Sequence, residues 1–446
     1  QVINKLSEVQ ARRFRALVID EKDNQLLLVM ADPTDIYRID EIRDLLGEPF
    51  QLAVCKENDL LRSIDLVYRR TSEISDLAEQ VGEELGTTAG FELPQLAEDA
   101  ETSDAPVVKL LHTIFEDAVQ VGASDIHIEP EQNALRIRLR VDGVLQEQVM
   151  NESRVAAALV LRLKLMSGLD ISEKRRPQDG RFHIEVKRHK IDVRISTMPI
   201  QFGESVVMRL LDQSAGILKL EALGMPYQIK ERFQHLITRP HGMVIVTGPT
   251  GSGKSTTLYA ALNELNAPEK KIITVEDPVE YRLPRINQVQ VNTKIDLNFS
   301  TVLRAVLRQD PDIVMVGEMR DQETAKIGLR AAMTGHMVLS TLHTNDAISS
   351  ALRLGDMGAE HFLTASALKG IVAQRLVRRL CVHCQEDYLP TDAELQWLNQ
   401  IAGQDCSTTD FKHTRGCSQC NNSGYRGRIG VYELLVINEA MADAYD

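Results

Sequence analysis

No apolar run in the 446 residues approaches the ~18–20 needed to span a bilayer. Even the stretch Met243 to Val246 is short, so integral membrane insertion is not expected. A basic excess is also missing. The formal net charge is −13, which argues against non-specific binding to nucleic acid or to an anionic lipid surface. Cysteine is scarce at six residues, too few for a secreted disulfide scaffold and in keeping with a reducing cytoplasm. No signal peptide opens the chain, and Gln1 in place of Met suggests a fragment whose true N-terminus lies upstream. No repeat of solenoid length is visible.

What is present is an ordinary globular composition, 43% hydrophobic and 26% charged. The length implies two to four domains, each able to bury its own core. Ala11 to Arg70 reads as a small α/β unit, with strands at Leu26–Met30 and Phe50–Cys55 and a helix over Asp35–Leu46. Next comes Thr71 to Asp104, where ten acidic residues from Glu73 to Asp104 occur with no Lys or Arg between them. The first part of this stretch is compatible with a helix, but low hydrophobicity and one-sided charge favour a mobile linker. From Ala105 the pattern is α+β. Val107, Leu111, Phe115 and Ala118 form a helical stripe, Leu135–Val141 alternates apolar residues with arginine, and Asp142-Gly143 supplies a hairpin turn. A second amphipathic helix covers Arg154–Met166, and Arg181–Met198 holds two further strand patterns.

Beyond Pro240 apolar runs at Met243–Val246, Ile272–Val275, Ile313–Val316 and Met337–Ser340 alternate with helical segments, the pattern of a doubly wound parallel sheet. The first run leads into Gly248-Pro-Thr-Gly-Ser-Gly-Lys254-Ser255, which fits G-x-x-x-x-G-K-[ST] between a strand and a helix. In such a loop Gly248, Thr250, Gly251, Ser252 and Gly253 wrap the phosphates of ATP with backbone N–H groups. Lys254 meets the β- and γ-phosphates, Ser255 ligates Mg²⁺, and Thr256 lies near the α-phosphate.

A phosphate cradle needs acidic groups before it can hydrolyse anything. Glu276, Asp277 and Glu280 follow one apolar strand and Glu318 follows another, at the strand ends where ligands collect in open α/β sheets. Glu280 and Glu318 read as functional, while Glu276 and Asp277 divide evenly between function and structure. Asp310 and Asp312 precede their strand and read as caps of its far end. His343, beside Thr341 and Asn345, is placed to sense the γ-phosphate, whereas His336 at the opposite end of its strand reads as structural.

Two Cys-x-x-Cys pairs, Cys381/Cys384 and Cys417/Cys420, stand 32 residues apart. Four thiolates from two such turns make a closed, structural Zn²⁺ site, and Cys55 and Cys406 are left as buried or free thiols. Arg136, Arg138, Arg140, Arg175, Arg176, Arg181, Arg194 and Arg209 crowd the domain before the phosphate loop. They form either a solvated, ion-paired sheet face or a supply of cations to phosphates across a domain interface.

In combination these segments resemble the secretion ATPases that drive type II secretion and type IV pilus assembly. The resemblance covers nearly the whole chain and rests on Ala123-Ser-Asp-Ile-His127-Ile-Glu129-Pro130, on Arg140-Val-Asp-Gly143, on the phosphate loop and on the tetracysteine set. Ile273 to Glu280 is similar to the family's aspartate box and Gly335 to Asp346 to its histidine box. The resemblance implies a RecA-like motor at 216–378 preceded by a PAS-like domain at 105–215. It further implies part of the family's N-terminal domain at 1–72, an acidic linker at 73–104, and a zinc subdomain with the C-terminal segment at 379–446. It carries the water-activating role onto Glu280, the second acidic motif onto Glu318, interdomain phosphate contacts onto Arg194 and Arg209, and the histidine-box role onto His343. Assembly as a cytoplasmic homo-hexamer on an inner-membrane platform is implied too, with no nucleic-acid partner and membrane contact only through other proteins. Ala31 to Asp35 resembles part of the N-terminal domain of the family's assembly motors, and Tyr68 to Ser75 resembles the mannose-sensitive haemagglutinin pilus branch. Some members of that branch bind cyclic di-GMP through an earlier, longer segment, which the residues present do not match.

Two other classes compete with an ATP-driven motor: a nucleotide-gated scaffold without turnover, and a DNA-translocating or conjugation ATPase sharing the RecA-like core. Intact Glu280 and Glu318 oppose the first. The acidic balance opposes the second.

Overall fold

The computed structural model describes residues 2, 5–6, 8–22, 25–57, 59–60, 63–64, 68, 71–87, 106–151, 153–213, 216, 218–420 and 423–443. The chain divides into two units, Gln1–Ser214 with Leu380–Arg426, and Ala215–Arg379 with Gly427–Asp446. In the first, helix α1 (Glu8–Phe14) leads into the antiparallel pair β1 (Ala16–Lys22) and β2 (Gln25–Met30). Leu26, Leu28 and Met30 of β2 point inward at every second position, as a half-buried strand requires. Helix α2 (Ile36–Leu46) starts where the Asp35 side chain accepts the Arg38 N–H and stops at Gly47, whose φ of 62° suits glycine. It returns the chain to β3 (Phe50–Val54), parallel to β2.

The acidic stretch departs from the linker expectation. Residues Thr71–Thr87 form helix α3, because Ile74, Ala78 and Val81 recur at helical spacing and are buried in the core of the following domain. Asp76, Glu79 and Glu83 stay exposed on its other face. Charge on one face and an apolar stripe on the other are compatible; composition alone averages them away. Residues 88–105 lie outside the described residues.

Helix α4 (Pro106–Val121) follows, then β4 (Ala123–Pro130), β5 (Leu135–Val141) and β6 (Val144–Met150), with positive φ at Asp142 and Gly143 closing the expected hairpin. After α5 (Ser153–Met166) come β7 (Gln178–Val186), β8 (His189–Ile200) and β9 (Gly203–Asp212). The antiparallel sheet runs β6-β5-β4-β9-β8-β7, and α3, α4 and α5 bury their apolar stripes in one core with its inward residues.

The second unit begins with α6 (Tyr227–Ile237), β10 (Gly242–Thr247) and α7 (Lys254–Leu265). There follow β11 (Ile272–Glu276), β12 (Ile286–Gln290), α8 (Phe299–Val306) and β13 (Ile313–Val316). Then come α9 (Gln322–Met333), β14 (Met337–Leu342), α10 (Ala347–Asp356), α11 (His361–Ala367) and β15 (Leu368–Leu380). The sheet order is β12-β11-β13-β14-β10-β15-β18, where β18 spans Tyr425–Val436. Strand residues alternate between two cores. Val244 and Val246 pack with α6 and α7, while Met243 and Ile245 pack with α9 and α10. This is the doubly wound α/β arrangement read from the sequence.

Between β15 and β18 the chain makes β16 (Gln385–Tyr388), α12 (Asp392–Ala402) and β17 (Phe411–Thr414), with β16 and β17 antiparallel. The cysteine region is therefore an insertion between β15 and β18, and the C-terminal segment that the sequence reading sets beside the zinc subdomain at 379–446 joins the parallel sheet. Strand β18 belongs to the seven-stranded sheet because Tyr432, Leu434 and Val436 alternate with Leu435 and pack against its two cores. A short helix, α13 (Glu439–Asp443), ends the described chain.

Candidate active site

Strand β10 is buried along its whole length between parallel neighbours β14 and β15, so its C-terminal end opens at the middle of the sheet edge. The chain leaves it at Gly248 with a φ of +146°, where a Cβ would lie 2.3 Å from the Gln374 carbonyl oxygen and 2.6 Å from Ser252 Oγ. Only glycine fits that approach. Helix α7 starts at Lys254, and its first-turn N–H groups, lacking intrahelical acceptors, suit an anion. Thr250, Gly251 and Ser255 are exposed around the loop, Gly253 and Thr256 are half-buried, and Ser252 is buried. Lys254 curls back over the loop, donating to the carbonyls of Gly248 at 2.8 Å and Pro249 at 3.0 Å. Burial pushes its ammonium pKa down, with the Glu318 carboxylate opposing.

The loop has a support that spacing does not reveal. Gln374 of β15, buried, accepts a hydrogen bond from Thr257 Oγ1 at 2.7 Å and donates from Nε2 to the Ser252 carbonyl at 2.7 Å. The available signal is a lone amide closing the apolar run Ile371-Val-Ala373.

Three further strand ends converge on the same edge. Glu318 follows β13, half-buried, with Arg320 ion-paired to it and His343 Nε2 3.6 Å away. His343 follows β14 and turns its other ring nitrogen to within 3.4 Å of Lys254 Nζ. Burial first, then the Lys254 charge, hold the His343 pKa below its usual value, with Glu318 opposing. Thr247 donates to the Leu342 carbonyl at 3.1 Å and meets the Thr344 hydroxyl at 2.7 Å, which fixes the His343 turn against β10. Arg320 also reaches Asp277 at 3.5 Å, a contact the sequence reading missed.

At the end of β11, Glu276 is 4% exposed and occupied by protein donors: Tyr259 Oη, Thr274 Oγ1 at 2.5 Å and Gln288 Nε2 at 3.1 Å. Burial raises its carboxyl pKa against those hydrogen bonds. Glu276 thus takes the structural side of its two readings. The Asp277–Pro278 peptide is cis, and Glu280 sits half-buried beyond it, its backbone N–H donating to Tyr259 Oη at 3.1 Å. Asp312 accepts the Lys271 N–H at 2.6 Å at the opposite end of the strands, and His336 Nδ1 contacts the Ala331 carbonyl at 3.0 Å at the end of α9. Asp310, exposed in a left-handed conformation, also precedes β13.

The arginines belong to the antiparallel sheet of the first unit. Arg181, Arg194, Arg209, Asp125 and Arg140 are register partners in one row across β7, β8, β9, β4 and β5. Asp125, nearly buried, receives Arg209 Nε at 3.2 Å and lies 3.8 Å from Arg140, while Arg181 pairs with buried Asp192. Outside the row, Arg136 pairs with Glu131 at 2.8 Å, Arg138 with Glu129 at 2.5 Å and Arg175 with Glu173 at 3.2 Å.

In the cysteine insertion the Sγ atoms of Cys381, Cys384, Cys417 and Cys420 all lie within 4.8 Å of one another. The Cys381–Cys417, Cys384–Cys420 and Cys417–Cys420 separations are 3.8, 3.9 and 3.8 Å. A disulfide would require ~2.05 Å. A tetrahedron with Zn–S arms of ~2.3 Å has edges of about 3.8 Å, so the donor set fits Zn²⁺ in size and chemistry. Backbone N–H groups of Cys417 and Gly424 donate to Cys420 Sγ at 3.2 Å each, as suits a thiolate. Cys55 and Cys406 take no part in the cluster.

A family model described as Type II/IV secretion system protein matches residues 100–446, and a model of the MshEN domain matches residues 1–74. The chain belongs to this family of secretion ATPases. Type II secretion system protein E of Dickeya dadantii (strain 3937) is 46% identical over 439 residues, spanning 97% of this chain and 87% of that protein. Type II secretion system ATPase E of Vibrio cholerae serotype O1 is 45% identical over 449 residues, spanning 99% and 88%. Among solved structures, the pilus retraction motor PilT with bound ADP is 28% identical with a TM-score of 0.51, covering 75% of this chain and 85% of that one. Among the described residues of this secretion ATPase, no helix is long and apolar enough to cross a membrane.

Proposed function

We propose that this secretion ATPase hydrolyses Mg²⁺-ATP at the C-terminal end of β10. As a homo-hexamer on the cytoplasmic side of the inner membrane, it couples turnover to protein secretion through a membrane platform. The observation that carries the proposal is the convergence of Lys254, His343 and Glu318 over a phosphate loop held by Gln374. Lys254 exchanges two loop carbonyls for the β- and γ-phosphates, and its cation offsets their charge. Ser255 and Glu318 hold Mg²⁺ or its water. Glu280 takes the proton of the attacking water, and His343 stands beside the γ-phosphate. Arg194 and Arg209 reach developing phosphate charge when an arginine-bearing domain closes on a motor domain, and Zn²⁺ on the four thiolates is structural.

Relatives at 45–46% identity named for type II secretion favour protein secretion as the driven process. Pilus assembly is the second reading, supported by the MshEN match and the likeness to a pilus motor. The acidic balance speaks against DNA as cargo.

Mg²⁺-ATP turnover by the full chain is the test. Lys254→Ala is expected to lose both nucleotide binding and turnover; hydrolysis at the wild-type rate in that variant contradicts the site. If assembly completes the site, specific activity rises with protein concentration, and Arg209→Ala lowers kcat more than nucleotide affinity. Concentration-independent turnover by a proven monomer contradicts the assembly argument.

A further inference from the structure

The segment between β11 and β12 that carries Glu280 has no regular secondary structure, yet side chains from outside it hold its backbone. Gln288 and Gln290 of β12 secure one side: Gln288 Oε1 accepts the Leu283 N–H at 2.7 Å, Gln288 Nε2 donates to the Tyr281 carbonyl at 2.9 Å, and Gln290 Oε1 accepts the Val279 N–H at 3.3 Å. Tyr259 secures the other. It lies on α7, five residues after Lys254, so its ring is carried by the helix that seats the phosphates. The phenol is buried, and its ring meets Tyr281 edge-on with centroids 6.0 Å apart. Its oxygen accepts the Glu280 backbone N–H at 3.1 Å while its proton goes to Glu276 Oε2. Glu276, with its other oxygen taken by Thr274 and Gln288, orients the phenol so that a lone pair faces Glu280.

We propose that Tyr259, oriented by Glu276, is a positioning residue for Glu280: it ties the water-activating glutamate to the phosphate-loop helix. This rests on the reading of Glu280 as the group that activates water. The burial of Glu276 and its full set of protein donors then have a purpose that neither metal binding nor catalysis supplies. The phenol oxygen thereby links the two halves of the chemistry, phosphate seat and general base, through a single atom.

Tyr259→Phe removes that oxygen and keeps the ring. The experiment measures kcat, KM, affinity for a fluorescent ATP analogue and Tm on the full chain. Because a small displacement of a general base costs rate steeply, kcat is expected to fall between about ten- and a hundredfold. KM and nucleotide affinity should stay within about twofold, since no phosphate contact is touched. Introduced into Glu280→Gln, the same substitution should leave the residual turnover unchanged, because its effect passes through Glu280. Glu276→Gln, which keeps size but leaves one acceptor oxygen where Tyr259 uses one and Thr274 and Gln288 share the other, should lower kcat in the same direction and give no further loss when combined with Tyr259→Phe. Unchanged kcat in both single variants overturns the proposal. So does a parallel loss of kcat, affinity and Tm, or an equal slowing of the Glu280→Gln enzyme. Wild-type turnover by Glu280→Gln alone overturns the general-base reading instead, so the two failures are distinguishable.

Discussion

Gln374 donates to the Ser252 carbonyl across 122 residues of sequence, and this 2.7 Å bond ties the phosphate loop to the strand beside it. The same amide accepts from Thr257 on α7, so loop and helix are held from one point. Gln374→Leu leaves the buried Ser252 carbonyl without that partner, which costs about 1–3 kcal/mol of stability. The loop then loses its seat against β15, and affinity for a fluorescent ATP analogue should fall. Denaturant titration and equilibrium binding check both effects; unchanged affinity in a destabilised variant contradicts the role in shaping the site.

Helix α3 makes a second, independent claim. Ile74 is 2% exposed in a core shared with α4, α5 and the antiparallel sheet. Ile74→Ala should destabilise that domain by about 2–5 kcal/mol, the cost of deleting a large buried aliphatic side chain. Thermal or urea unfolding measures it. A change below ~0.5 kcal/mol, the usual size for an exposed substitution, contradicts the packed helix.

These two residues mark where the sequence is legible and where it is not. The phosphate loop declares itself because its glycines, Lys254 and Ser255 are contiguous and flanked by an apolar strand. Gln374 does not, because its importance arises only when β15 is laid beside β10. The apolar stripe of α3 is three residues deep in a run of carboxylates, and net charge hides it. Strand β18 is obscured differently, by the cysteine insertion that separates it from β15. Glu276 and Glu280 look alike in sequence, four positions apart; only burial and donors divide them, one enclosed by Tyr259, Thr274 and Gln288, the other half-buried at the site.

The cysteine cluster should carry one Zn²⁺ per chain in protein purified without chelator, by elemental analysis. Cys417→Ser is expected to release the metal and to loosen the insertion before the motor sheet, because structural zinc contributes directly to local folding. Hydrogen exchange across Leu380–Arg426 reads that order of loss. Protein free of zinc, or a metal-free variant with unchanged exchange there, contradicts a structural metal site.

The account turns on Glu280, and phosphate release from Mg²⁺-ATP by the Glu280→Gln chain, measured beside its nucleotide affinity, tests it most directly. The amide keeps the shape of the side chain and removes the base. Turnover should fall at least ~100-fold while ATP remains bound, the lower end of what loss of a general base costs. Wild-type release by that variant would contradict the account and move the chemistry to Glu318.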